Sequence, residues 1–252
     1  MMQVPGDAIL SPSLVEPGEG EGPAFELKFL VDEAQAREAE AWASARLAPD
    51  PHGDPSLGGA YRTTTLYLDT PALDVFHRSP SFKRSKHRLR RYGSEPRIYL
   101  ERKTKDGDRV RKQRNAIPEE DLSLLTAPLS VTTWPGHWFH RRLLDRGLRP
   151  SALVVYHRTA YIGSGADGPF RLTLDRRLRG FRVGEWAVPV EEGGLPFLMG
   201  QAILELKFRM ALPVVFKELV LSMRLNPSPV SKYRTCMSAW GASAARRGAA
   251  DA

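Results

Sequence analysis

The sequence of 252 residues holds a single cysteine, Cys236. That excludes a disulfide framework and any cysteine-based zinc site, and it suits a reducing compartment, so a cytoplasmic location is expected. No stretch approaches the roughly 18 uninterrupted apolar residues of a membrane helix, and the first residues carry neither a basic nor an apolar signal region. The patterns GxxxxGKS/T, HExxH and GxSxG are missing, which removes P-loop, zincin and nucleophile-elbow chemistry. No internal repeat is visible. Lysine is scarce, nine against 28 arginines. Apolar residues are not: at 42% they suffice for one sizeable core and exceed what a disordered chain carries.

Charge is present in quantity and unevenly spread. The net charge is +8, yet residues 1–22 hold four acids and no Lys or Arg. Residues 83–114 hold fourteen bases and four acids, a local +10. An anionic partner is therefore implied. Three of the nine lysines stand two residues after a glutamate: Glu26-Leu27-Lys28, Glu101-Arg102-Lys103 and Glu205-Leu206-Lys207.

The Pro-, Gly- and Glu-rich residues 1–23 are expected as a disordered leader and the Ala-rich 241–252 as a flexible tail, leaving a folded part over 24–240. Strands are predicted at 24–31, 63–68, 86–92, 97–105, 109–117, 153–162, 170–175, 182–190 and 202–208, with turns at Gly93-Ser94 and Asp106-Gly107-Asp108. A helix is predicted over 33–47, capped by Asp32 and with Ala34, Ala41 and Trp42 among its apolar positions. Further helices are predicted over 118–125 (Pro118 in its first position), 134–148 and 212–225. Hairpin-linked strands interrupted by helices argue for an antiparallel α+β fold.

Side chains alternate faces along a strand. Arg97, Tyr99, Glu101, Lys103 and Lys105 therefore share one face, Lys86, Arg88, Arg90 and Tyr92 another. Glu26 and Lys28, Glu205 and Lys207, and Arg171, Thr173 and Asp175 likewise oppose apolar neighbours. An ordinary sheet with its charged side in water accounts for any one strand. Across several strands, so much like charge destabilises a compact state unless an anion neutralises it. A sheet curled into a barrel with the charged face inward gives a basic tunnel with a few carboxylates, covered outside by helices. Arg and Lys converging there suit phosphoryl groups. The carboxylates suit Mg²⁺ or Mn²⁺, which bind through one or two carboxylates plus substrate phosphates; Glu205, with Glu26 or Glu101, is the candidate anchor, and salt bridging is the other reading of Glu26 and Glu101.

The strings FELKF (25–29), YRTTTLYLDTPALDVF (61–76), KHRLRRYG (86–93), YLERKTK (99–105), VVYHRTAY (154–161), RLTLD (171–175), ILELKF (203–208) and SKY (231–233) occur in register. Together they resemble the VTC domain, the polyphosphate polymerase module of the triphosphate tunnel metalloenzyme superfamily, here of a bacterial-type stand-alone kind. The resemblance implies an eight-stranded antiparallel tunnel. It implies an enzyme that transfers the terminal phosphate of ATP to a growing polyphosphate chain with a divalent metal, typically Mn²⁺. It implies Lys28, Arg88, Arg90, Lys103, Arg158, Arg171 and Lys232 as phosphate ligands and Glu205 as the metal carboxylate. Lys207, Arg109, Arg111, Lys112 and Arg114 are expected to hold or guide substrate.

Two positions depart from related patterns. Ala24 stands where the CYTH branch has the first Glu of Glu-x-Glu-x-Lys, and Pro229 stands where eukaryotic VTC domains have a lysine. With no membrane span in the sequence, any membrane coupling would come from a partner protein in trans. The alternatives are a triphosphate hydrolase or a non-catalytic polyphosphate-binding tunnel, and, of another class, an RNA-binding module built on the basic stretch with Tyr92 and Tyr99. Specific nucleic-acid binding is not expected, since carboxylates within the basic face repel a sugar-phosphate backbone. His137 and His140 are expected to pack rather than hold metal.

Overall fold

Alternation of charged and apolar side chains is realised as a closed ring of strands. The computed structural model describes residues 24–107, 109–128, 132–190 and 193–241; the expected leader, Asp108 of the expected turn, and the expected tail beyond Gly241 lie outside them. The strands are β1 (Ala24–Asp32), β2 (Ala48–Pro49), β3 (Tyr61–Asp69), β4 (Ser85–Tyr92), β5 (Arg97–Asp106), β6 (Arg109–Pro118), β7 (Arg149–Gly165), β8 (Gly168–Arg182), β9 (Leu195–Pro196) and β10 (Gln201–Phe208). The helices are α1 (Glu33–Ser44), α2 (Asp74–His77), α3 (His137–Arg146), α4 (Val214–Ser222) and α5 (Lys232–Ala239).

Eight strands run β7-β3-β4-β5-β6-β1-β10-β8, and β8 pairs back to β7, so the sheet closes on itself with antiparallel pairing throughout. The fold is α+β and tunnel-like, as the sequence predicts, but the ring is uneven. β5 and β6 pair over ten positions, whereas β1 and β6 meet only at Ala24↔Val110 and Phe25↔Arg109.

The apolar outer face is covered by helices. Phe29, Leu172, Leu204 and Leu206 pack with α1 and α4, which contribute Ala36, Ala39, Ala43, Phe216 and Leu219. Asp32 caps α1 in a capping box: its carboxylate accepts from the Gln35 amide at 2.8 Å while the Gln35 side chain accepts from the Asp32 amide at 3.2 Å. The buried stripe of α1 is Ala36, Ala39 and Ala43; Ala34 and Ala41 are exposed, a one-face correction to the expected apolar positions. Small residues at that spacing let the helix lie close on the sheet.

Other expected elements shift for local reasons. The helix expected from Trp134 begins at His137, after Pro135-Gly136, and stops at Arg146 because Gly147 takes the left-handed C-cap (φ 60°). The segment after Pro118 is a 3₁₀ helix, Glu119–Leu125, with Pro118 ending β6 and serving as N-cap. The strand expected over 182–190 does not form: β8 ends at Arg182, opposite Ala152, and the following residues, with Gly184 and Pro189 among them, find no ladder. α4 starts after Pro213 and is shorter than expected. α5 has no counterpart in the sequence reading; Ser231 caps it, accepting from the Arg234 amide.

Candidate active site in the barrel lumen

The inward faces of the ring enclose a cavity of about 460 Å³ lined by thirteen Lys and Arg and two acids, Glu26 and Glu205. Antiparallel register creates its centre. Lys28 stands opposite Glu205, and Glu26 opposite Lys207, on β1 and β10. The Lys28 ammonium lies 2.6 Å from Glu26 Oε1 and 3.3 Å from Glu205 Oε2, bridging the two carboxylates. Lys103 Nζ from β5 reaches Glu26 Oε2 at 2.6 Å, and Lys207 Nζ reaches Glu205 Oε1 at 3.1 Å. Burial pushes both glutamates toward protonation, and Glu205 adds to that push on Glu26, but the surrounding lysines, with Arg158 beside Glu205, outweigh it and hold both well below the usual carboxylate range. Burial opposes charge on Lys28 as well, and Glu26 and Glu205 outweigh it, so its pKa is raised.

Deeper in the lumen, Asp175 of β8 gathers Arg158 and Lys232. Arg158 donates to both its carboxylate oxygens, Nε at 2.7 Å and Nη2 at 2.9 Å, and Lys232 Nζ lies at 2.5 Å. Burial raises the Asp175 pKa, yet Arg158 and Lys232 bring it down to about 2. Both cations also sit over the Tyr156 ring, at 5.4 and 4.8 Å from its centroid. The Tyr156 hydroxyl is buried and has no hydrogen-bond partner among the described residues, a donor available to a phosphate oxygen.

Glu101 is fully enclosed and occupies a different place. Arg88 Nε lies 2.6 Å away, Lys112 Nζ 3.0 Å, Arg114 Nε 3.5 Å and Arg90 Nη1 3.9 Å. Burial raises its pKa, but these cations hold it far below the ordinary value. It is absent from the cavity lining, as is Arg171, which is buried, bound to Asp50 and donates to the Tyr61 hydroxyl at 2.8 Å. Lys112 and Arg114 point inward on β6, whereas Arg109 and Arg111 are exposed, Arg109 lying 5.8 Å from the Phe25 ring centroid. Thus Lys28, Arg88, Arg90, Lys103, Arg158, Lys207, Lys232, Glu26 and Glu205 meet in one cavity.

Lys86 and Tyr156 also line it and Asp175 stands behind Arg158 and Lys232, none of them expected as a site residue, although strand alternation carries the signal for each: Lys86 is in phase with Arg88, Tyr156 with Arg158, and Asp175 with Arg171. Lys86 donates to Ser231 Oγ at 2.9 Å. Burial, with Lys28, Lys103, Arg88 and Arg234 nearby, depresses it from 10.5 to about 7. A lysine depressed in the folded state binds fewer protons than in the unfolded chain between those two values, so its burial costs stability below about pH 7, and that cost is relieved as pH rises to 10.5. An anion in the lumen reverses the depression. Tripolyphosphate binding at about pH 8 is therefore expected to take up a sizeable fraction of a proton, read as a dependence of calorimetric enthalpy on buffer ionisation enthalpy; binding without proton uptake would contradict this placement of Lys86.

His140 packs beside Trp134, ring centroids 6.4 Å apart, and Cys236 is buried, its thiol pushed up to about 12 by burial. Among the described residues no cluster of three or more His, Cys, Asp or Glu side chains is placed to hold a metal ion. Two adjacent carboxylates, Glu26 and Glu205, do fit the sparse protein share of a hard divalent cation that completes its shell with phosphate oxygens and water.

The VTC domain family model matches residues 24–240. The chain belongs to this family, and with its closed ring of eight strands it is a triphosphate tunnel protein. Among solved structures it is similar to a candidate adenylate cyclase of Bacillus halodurans, at 13% identity and a TM-score of 0.49, over 82% of this chain and 92% of that one. It is also similar to the Hippeastrum protein HpAC1, described as having a dominant triphosphatase activity, at 13% identity and 0.47, over 86% of this chain and 96% of that one. A Pyrococcus horikoshii protein matches at 13% identity and 0.47, over 85% of this chain and 98% of that one. No curated protein matches the sequence. No helix among the described residues is long and apolar enough to cross a membrane.

Proposed function

We propose that the lumen is the active site of a metal-dependent phosphotransferase that moves the terminal phosphate of ATP onto a polyphosphate chain. The observation that carries this reading is the meeting of thirteen cations with two lysine-bridged carboxylates in one enclosed cavity. Arg88, Arg90, Arg158 and Lys232 cradle the triphosphate, and the Tyr156 hydroxyl donates to one of its oxygens. Lys28 and Lys103 hold Glu26 ionised beside the transferring phosphoryl group, and Lys207 does the same for Glu205. Fixed positive charge lining the site stabilises the charge that spreads over the phosphoryl oxygens in transfer, and it needs no rearrangement to do so. A terminal phosphate oxygen of the chain bonds to the γ-phosphorus as its bond to the β–γ bridging oxygen breaks, and ADP leaves with that oxygen's electron pair. Mn²⁺ or Mg²⁺ bound at Glu205 and Glu26 would neutralise β- and γ-phosphate charge. Arg171 and Glu101 stand behind the cradle and position it, through Tyr61 and through Arg88 and Arg90.

Hydrolysis of the triphosphate is the second reading. It uses the same residues with water as acceptor, and the buried Tyr61 and Tyr92 rings, packed edge-on with centroids 5.9 Å apart beyond Arg90 and Arg158, favour a small acceptor. The RNA-binding alternative loses support because the clustered cations face a lumen that contains carboxylates. Incubating the pure protein with ATP and Mn²⁺ and resolving the products separates these readings. A polyphosphate ladder is expected; free phosphate without a ladder supports hydrolysis, and neither product, together with salt-sensitive RNA binding, would sink both enzyme readings.

A further inference from the structure

Three of the nine lysines converge on one pair of carboxylates. Lys103 approaches both oxygens of Glu26, at 2.8 and 2.6 Å, and Lys207 approaches Glu205 Oε1 at 3.1 Å. Among the described residues Lys28 alone reaches both acids, Glu26 Oε1 at 2.6 Å and Glu205 Oε2 at 3.3 Å. All four carboxylate oxygens therefore have an ammonium within 3.3 Å. Asp175 is held differently, by two nitrogens of the Arg158 guanidinium. A guanidinium grips a carboxylate through a rigid fork, whereas an ammonium is a compact point charge on a flexible stem. Lysine therefore takes the kind of place a small metal cation takes, and releases it more readily than arginine would.

The backbone of Lys28 is fixed while its side chain is not enclosed. Strand pairing sets it opposite Glu205, and its carbonyl accepts from the Ser228 amide at 2.7 Å. The side chain keeps 23% of its surface exposed and lines the cavity. A bare divalent cation approaching the two glutamates meets thirteen cations against two acids, and to bind both carboxylates it must push the Lys28 ammonium off them with no other anion to receive it. A triphosphate changes both conditions. Its negative charge offsets the lining, and its oxygens accept the displaced ammonium.

We infer that Lys28 excludes bare divalent cations from the Glu26–Glu205 pair and gives up that place only when a triphosphate arrives to receive its ammonium, so that metal and triphosphate enter together. This rests on the proposed reading of the lumen as a triphosphate site and adds an order of events to it. Lys28 exchanges carboxylate oxygens for phosphate oxygens, while Lys103 and Lys207 stay on Glu26 and Glu205.

The test measures two ligands separately on the full chain at fixed ionic strength: Mn²⁺ alone, from the electron paramagnetic resonance signal of the free ion, and tripolyphosphate alone, by calorimetry. Lys28→Met keeps a stem of similar length and removes the charge. The two affinities are expected to move in opposite directions, Mn²⁺ binding at least about tenfold more tightly than in the wild type and tripolyphosphate about tenfold more weakly. A merely structural role for Lys28 would weaken both. Lys28→Arg, which keeps the charge, is expected to exclude Mn²⁺ as the wild type does. Adding Glu205→Gln to Lys28→Met is expected to abolish the gain, which assigns it to the carboxylate pair. Circular dichroism checks the fold, and Lys28→Gln takes the place of Lys28→Met if that variant unfolds. Equal Mn²⁺ affinity in the wild type and the uncharged variant would overturn the inference and leave the triphosphate site standing. Failure of tripolyphosphate to bind the wild type would remove that site, and this inference with it.

Discussion

Replacing Glu205 with Gln is expected to lower metal-dependent turnover by at least about 100-fold while leaving the barrel folded, an effect the size of removing one preorganised electrostatic group from an active site. Glu205 is 4% exposed, and its two oxygens face Lys207 and Lys28. Glutamine keeps the volume and one acceptor oxygen but removes the charge on which both a hard cation and the two lysines depend. A bound divalent cation would then have to rely on Glu26 alone, whose oxygens already meet Lys28 and Lys103. Product formation measured over a range of Mn²⁺ concentrations, with circular dichroism of the same preparation, checks both halves of the expectation. Wild-type turnover in the variant would remove Glu205 from the metal site.

Replacing Glu101 with Gln is expected to act on stability, with a loss of about 3–5 kcal/mol. Glu101 is 0% exposed and faces four cations within 4 Å. Removing its charge leaves Arg88, Arg90, Lys112 and Arg114 repelling one another where water cannot screen them, and a loss of that size is a large fraction of the stability of an ordinary domain. A carboxylate whose folded pKa is depressed contributes stability that is present above its unfolded value of 4.5 and is lost as pH falls below that value toward its folded pKa. The gap in stability between wild type and variant should therefore be full at neutral pH and shrink in acid. Denaturant unfolding at neutral and acidic pH reads both numbers; a neutral-pH loss under about 1 kcal/mol would show the four cations to be solvated after all.

The contrast between these two glutamates marks where sequence reading ends. Both belong to a Glu-x-Lys pair on a strand, and alternation places both on the charged face. What separates them is the register of the flanking strands. Glu101 stands between Arg88 on β4 and Arg114 on β6, whereas Glu205 stands between Lys28 on β1 and Thr173 on β8. Cross-strand neighbours come from pairing, which a single strand's pattern does not contain. The charged and apolar faces were legible because side chains alternate along most of the strands, while closure into a ring was one reading of that alternation and its eight strands came from the family resemblance. Arg158 and Lys232 entered through family resemblance alone; the structure gives their physical reason, since Asp175 draws one from β7 and the other from the start of α5. α5 was missed because its buried Tyr233, Cys236 and Met237 make a short stripe after a Pro-rich loop. Arg171 looked like a lumen cation from β8, and only the fold shows that Asp50, from the loop after β2, claims it.

The central claim, that the charged strand faces enclose a triphosphate rather than face solvent, is tested most directly by titrating tripolyphosphate into the wild type and into Lys103→Ala, with Arg37→Ala on the exposed side of α1 as the control. Lys103, half-buried in the lumen beside Glu26, is expected to cost about 10–100-fold in affinity when removed, and Arg37 nothing measurable. Equal affinity in the wild type and Lys103→Ala would contradict a phosphate site inside the barrel.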